Sequence, residues 1–210
     1  SEKETPNRSL PSILCTFTNA FNGLKSPVLT KEQANYNIDS QYKSEDFPIA
    51  KTVYLPAGTT NQTLEITESG SPDGYILYTA SAAGSVIDVD HKRDYCITVN
   101  ASYIIIRGLN LKGAKQHGIR LYDCHDVVIE QCDISDWGSI EDDGWGTYNS
   151  AIFSASVKLK RIIVQRNKVH HPYSDTNSWS EYREKYGTNH PRGPRPIGYV
   201  NSAGNHVVRY

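Results

Sequence analysis

Ile104-Ile105-Ile106-Arg107-Gly108-Leu109-Asn110-Leu111, Val127-Val128-Ile129-Glu130-Gln131-Cys132-Asp133-Ile134 and Ile162-Ile163-Val164-Gln165-Arg166-Asn167-Lys168-Val169 are one pattern written three times. Each copy follows a shorter β-prone run: Cys96-Ile97-Thr98-Val99, Gly118-Ile119-Arg120-Leu121 and Ala151-Ile152-Phe153-Ser154. A fourth copy begins at Pro196-Ile197-Gly198-Tyr199, continues through Val207-Val208-Arg209, and stops mid-unit at Tyr210. Each unit reads as three short strands. A unit of this size cannot bury its apolar face alone, so successive units must stack. Strands that pair coil on coil rather than as hairpins make parallel sheets, with inward and outward residues alternating. Ile97/Val99, Ile119/Leu121, Ile152/Ser154 and Ile197/Tyr199 are expected to point inward on one sheet, and Ile104/Ile106, Val127/Ile129 and Ile162/Val164 on the next.

Upstream, 52–55, 63–67, 75–78 and 85–89 are β-prone runs punctuated by Gly58, Gly70, Gly74 and Gly84. Residues 1–46 are polar and weakly periodic and are expected to form an N-terminal extension or cap. Thr30 and Gln33 could box the start of a short helix over Ala34 to Ile38. Residues 47–210 are expected to form the coils, with further coils and a C-terminal cap beyond Tyr210. The chain begins at Ser1 without a charged-then-apolar leader, which fits a mature form or a fragment.

Composition narrows the function classes. The 210 residues are 38% hydrophobic, an ordinary share for a globular chain. Lys and Arg number 22 against 23 acidic residues, so there is no basic surplus to recruit nucleic acid. No stretch approaches the roughly 20 apolar residues of a membrane-spanning helix. Four Cys in a chain this long do not make a disulfide framework. Cys96, Cys124 and Cys132 are simplest as buried small side chains. The 14 Tyr and 3 Trp against 4 Phe suit sugar binding as well as ordinary strands.

The pattern resembles the right-handed parallel β-helix, or pectin-lyase-like, superfamily. The resemblance covers roughly residues 52–210 and is most specific at 127–134 and 162–169. In that superfamily Asn167 would belong to a stacked Asn ladder, but Leu109 and Cys132 take its place on the two preceding units. Subfamily motifs match only in part. Of the polygalacturonase-like set the paired Asp142-Asp143 is present, and Val89-Asp90-His91 echoes the end of a pectate-lyase-like strand. The resemblance implies a secreted, periplasmic or cell-surface protein acting on a polysaccharide, with a lyase and a glycoside hydrolase both open. The rival is a non-catalytic carbohydrate-binding or adhesive β-solenoid.

The repeat also marks where a site should lie. Ile106 to Ile129 spans 23 residues, Ile129 to Val164 spans 35, and Val164 to Val208 spans 44. The growth falls in one slot, at roughly 137–150 and 170–195, so both loops should rise on one side of the coil. The expected floor carries Thr98, Arg120, Tyr122, Phe153 and Gly198 facing outward.

Candidate roles follow from chemistry. Arg120 could clamp a uronate carboxylate and, as the resemblance implies for lyases, take part in proton removal. Asp142 and Asp143, with Glu141, could serve as acid and base for hydrolysis, or ligate a hard cation such as Ca2+. The bland alternative is a solvated acidic turn before Gly144. His170 and His171, and His117, are candidate acid/base groups, because histidine as a residue type titrates near neutrality; a hydrogen-bonded loop histidine is the plainer role. Tyr122, Trp137, Trp145, Phe153, Tyr173 and Trp179 offer stacking faces, and Arg192 and Arg195 offer charge for substrate. The Trp residues could equally pack the loops onto the coil.

Overall fold

The computed structural model describes residues 47–210 except 83, 175–183, 186, 188–191 and 210. Its sixteen strands fall into three parallel sheets. The first sheet is β1 (Ile49–Leu55), β4 (Tyr75–Ala80), β7 (Ile104–Arg107), β10 (His125–Glu130), β13 (Lys160–Gln165) and β16 (Val207–Arg209). The second is β2 (Gly58–Thr60), β5 (Ser85–Asp88), β8 (Asn110–Lys112), β11 (Asp133–Ser135) and β14 (Lys168–His170). The third is β3 (Leu64–Ile66), β6 (Tyr95–Val99), β9 (His117–Leu121), β12 (Ser150–Ser154) and β15 (Arg195–Tyr199). Every third strand in sequence pairs with the last of its kind, so the chain is a right-handed parallel β-helix. The coils begin earlier than the clear repeat, with two turns of helix before β7. The expected N-terminal cap and the helix over Ala34 to Ile38 lie outside the described residues.

The expected register is the observed one. Ile97 pairs Ile119, which pairs Ile152, which pairs Ile197. Ile104 pairs Val127, which pairs Ile162. These columns are the core: Ile97, Ile104, Ile119, Val127, Ile152 and Ile162 are fully enclosed. Leu111, Ile134 and Val169 stack as the second sheet's column. Stacking like on like buries each coil's apolar edge against the next, which no single coil achieves.

Corners repeat as faithfully as strands. Where the chain enters the first sheet, Tyr103, Asp126, Arg161 and Asn205 all have positive φ, between 53° and 60°. Between the first and second sheets the same holds for Gly108, Gln131 and Arg166. A left-handed residue turns the chain sharply, and a non-glycine there costs about 1–2 kcal/mol. Inter-coil hydrogen bonds offset that cost, such as Tyr103 N–H to the His125 carbonyl at 3.2 Å and Gly108 N–H to the Glu130 carbonyl at 3.1 Å. Asn167 adds a side-chain bridge: it accepts from Cys132 N–H and donates to the Ile129 carbonyl, both at 2.9 Å.

Among the described residues no helix is long and apolar enough to cross a membrane.

Candidate functional site

The site is built from one corner. After the second sheet, Gly113, Asp136 and His171 take φ of 73°, 56° and 48° on three successive coils. Gly113 has no alternative, because a Cβ there would sit 2.8 Å from the Asp90 backbone nitrogen. From this corner the chain reaches the third sheet through 113–116, then 136–149, then 171–194. The two long loops leave in register, with Asp136 N–H bonded to the His171 carbonyl at 2.7 Å and Tyr173 N–H to the Trp137 carbonyl at 2.9 Å. They return in register too, with Arg195 N–H to the Asn149 carbonyl at 2.8 Å. Both therefore stand at the entry edge of the third sheet.

The first loop is ordered by its own packing. Trp137 and Trp145 are buried, 3% and 8% exposed, and Trp137 belongs to the main core. Glu141 to Gly144 is a tight turn: Gly144 N–H bonds the Glu141 carbonyl at 2.9 Å, and Asp143 Oδ1 accepts from Trp145 N–H at 3.0 Å. Asp143 also pairs with Arg192, and its carbonyl accepts from Lys185 Nζ at 3.3 Å. It clasps the second loop. Glu141 and Asp142 are exposed at the tip. Among the described residues no group of three or more His, Cys, Asp or Glu side chains is placed to hold a metal ion.

His170 and His171 sit at the corner. The two Nδ1 atoms are 2.5 Å apart, and His170 Nε2 bonds Asp133 Oδ1 at 2.6 Å on the outer face of the second sheet. Burial works against the charge on Asp133, but the bonds from His170 and Lys168 hold its carboxyl below the usual range. Tyr173 lies against His91, ring centroids 4.2 Å apart.

The third sheet supplies the floor. Thr98, Arg120, Phe153 and Gly198 follow one another in register on its outer face. The Arg120 guanidinium lies 4.6 Å from the Phe153 ring centroid and 5.1 Å from that of Tyr122. Its Nε is buried without a hydrogen-bond partner. Gly198 lets the Phe153 ring lie down, since a Cβ there would be 3.1 Å from the ring edge. Beside this row Tyr95, His117 and Phe153 stack along the helix axis. Centroids are 5.9 Å apart at 8° for Tyr95 and His117, and 4.2 Å apart at 16° for His117 and Phe153. Ser150 N–H donates to His117 Nδ1 at 2.9 Å, so the neutral ring carries its proton on Nε2. Burial, then the Arg120 charge, lowers the His117 pKa to about 4. Burial first, and then Tyr122, push the Tyr95 phenol above its usual range. At the edge, Arg195 lies 4.5 Å over the ring of Tyr148.

The structure thus brings Arg120, Tyr122 and Phe153 together on the floor and sets Arg195 beside it. It joins Asp143 to Arg192, and places His170 and His171 with Asp133 at the corner. Trp179, and with it Tyr182, Tyr186 and His190, lies outside the described residues. Tyr95 was not singled out from the sequence and His117 only for its titration. The signal was there: both stand two residues before the inward Ile97 and Ile119, in one column of the repeat.

No family model and no curated protein matches the sequence. Among solved structures, the chain is similar to the crystal structure of pectate lyase Pel9A, with 14% identity and a TM-score of 0.47 over 75% of this chain and 40% of that one. The chain spans about two fifths of that enzyme's length. The fold assignment rests on the strand register above.

Proposed function

We propose that the outer face of the third sheet binds an acidic polysaccharide and that the protein cleaves it by β-elimination, outside the cell. One observation carries this reading: a guanidinium lying 4.6 Å and 5.1 Å from two aromatic ring centroids on the outer face of the third sheet, at whose entry edge both long loops leave and return. Stacking occupies the faces of a guanidinium and leaves its edge to donate, the geometry that suits a carboxylate. The Tyr95–His117–Phe153 stack offers ring surface alongside, and the His117 Nε2–H offers a donor.

The chemistry follows. A uronate carboxylate paired with Arg120 acidifies the carbon beside it, because the charge that develops on the carboxylate is met by the cation. Loss of that proton to a base, with departure of the neighbouring glycosidic oxygen, breaks the carbon–oxygen bond. It leaves a carbon–carbon double bond and adds no water. Tyr122, exposed beside Arg120, is the group we assign to take the proton as its phenolate and to pass it, as the phenol, to the departing oxygen. The hydrolase alternative needs two carboxyl groups facing each other across the bond. Asp143 is committed to Arg192, which sets that alternative second. A binding module without turnover would keep the same floor.

Binding separates these from an inert surface. Affinity electrophoresis in gels containing a uronate polymer should retard the protein, and a neutral polymer should do so less. Arg120→Ala should weaken retention on the uronate polymer by about tenfold or more, and Phe153→Ala by about fivefold. Equal migration of all variants in both gels would dismiss the site.

A further inference from the structure

His170 and His171 are linked to Asp133 in a short chain of polar contacts that the floor chemistry does not use. Asp133 Oδ1 lies 2.6 Å from His170 Nε2, and the two histidine Nδ1 atoms are 2.5 Å apart. These contacts fix the protons. An ionised carboxylate only accepts, so His170 carries a proton on Nε2. In the neutral ring Nδ1 is then a lone pair, and the Nδ1–Nδ1 contact needs one proton, which neutral His171 must supply. That leaves His171 Nε2 bare, on a residue exposed to solvent.

Protons added one at a time have opposite effects. The first occupies the bare His171 Nε2. One proton is still shared between the rings, and the contact becomes a charge-assisted hydrogen bond, stronger than the neutral one. The second fills His170 Nδ1. Two N–H groups and two positive charges then face each other, and the contact is lost. The surroundings supply charge of both signs. Asp133 favours the cation on His170, while Lys168, 3.1 Å from the other Asp133 oxygen, opposes it. Lys112 lies two coils back in the His170 column and is paired with Asp88 at 3.2 Å. Across the corner, His91 Nε2 is 3.3 Å from Asp136 Oδ1, and Tyr173 lies against the His91 ring.

The pair sits where the two loop roots join. His171 has a φ of 48°, and its carbonyl accepts the Asp136 N–H at 2.7 Å. Two residues on, Tyr173 N–H bonds the Trp137 carbonyl at 2.9 Å. We propose that His170 and His171 form an acid-operated latch between these roots, tightened by the first proton and released by the second. It is independent of the reaction the third sheet supports.

Nuclear magnetic resonance of the full chain, with 15N in its histidines, tests this from about pH 9 to pH 4. At high pH His170 should be the Nε2–H form and His171 the Nδ1–H form. Both rings should then shift together in two separate steps, as coupled sites do. The protection of the Asp136 amide should rise through the first step and fall by tenfold or more through the second. His170→Gln should leave His171 titrating in one step and remove the maximum in Asp136 protection. Rings that titrate independently in single steps, or Asp136 protection that is flat or only falls, would overturn the latch. So would a folded His170→Gln variant that keeps the maximum. The wild-type titration decides the question even where that variant does not fold.

Discussion

His117 shows how a single side chain is set by its coil neighbours. The ring is sandwiched between Tyr95 and Phe153 and accepts the Ser150 N–H, so protonation would break a buried bond and place a cation near Arg120. Its folded pKa, about 4, lies below the unfolded 6.5. The unfolded chain then binds more protons between those values. The contribution is complete above pH 6.5 and is lost as pH falls towards 4. Its ceiling is about 3 kcal/mol. His206, also lowered by burial, adds a slope of the same sign. Urea unfolding measured from pH 7.5 to 4 should show stability falling, and His117→Gln, whose amide oxygen can still accept from Ser150, should flatten that fall. An unchanged slope would mean that the ring is solvated or charged in the folded protein.

Elements were legible where their side chains repeat. The inward columns of the first and third sheets are legible in the sequence, because Ile and Val recur at every second residue and again one coil later. β2, Gly58–Thr60, could not, since it carries no apolar residue and is exposed throughout. The corners were equally silent: Tyr103, Asp126, Arg161 and Asn205 share a backbone conformation but no side-chain chemistry. One sequence signal passed unread. Ile104-Ile105-Ile106, Val127-Val128-Ile129 and Ile162-Ile163-Val164 are apolar on both faces, the mark of a strand buried on both sides. The Asn ladder is reduced to one rung, and that rung bridges two coils. Asn167→Ala would strand the Cys132 N–H and the Ile129 carbonyl and should cost about 1–3 kcal/mol. Amide exchange at Cys132 should speed up with it. Wild-type stability and exchange in that variant would show that the bridge contributes nothing.

At the scale of the molecule, the solenoid divides its three faces. The first sheet is apolar and buried on both faces, the second is solvated, and the third lies where the long loops return. Loop placement was legible from the widening spacing, since extra residues in one slot of a stacked repeat must emerge together. The internal construction of the site was not. The clasp from Asp143 to Arg192 and the burial of Trp137 and Trp145 depend on how the loops fold over each other, which no repeat encodes. Cleavage tests the central claim most directly. Products of a uronate-containing polysaccharide incubated with the protein should be weighed by mass spectrometry, beside the same incubation with Arg120→Lys. Unsaturated oligosaccharides that have gained no water are expected, formed by the wild type and reduced on the order of a hundredfold or more by the substitution. Products that have gained water, or undiminished cleavage by Arg120→Lys, would contradict it.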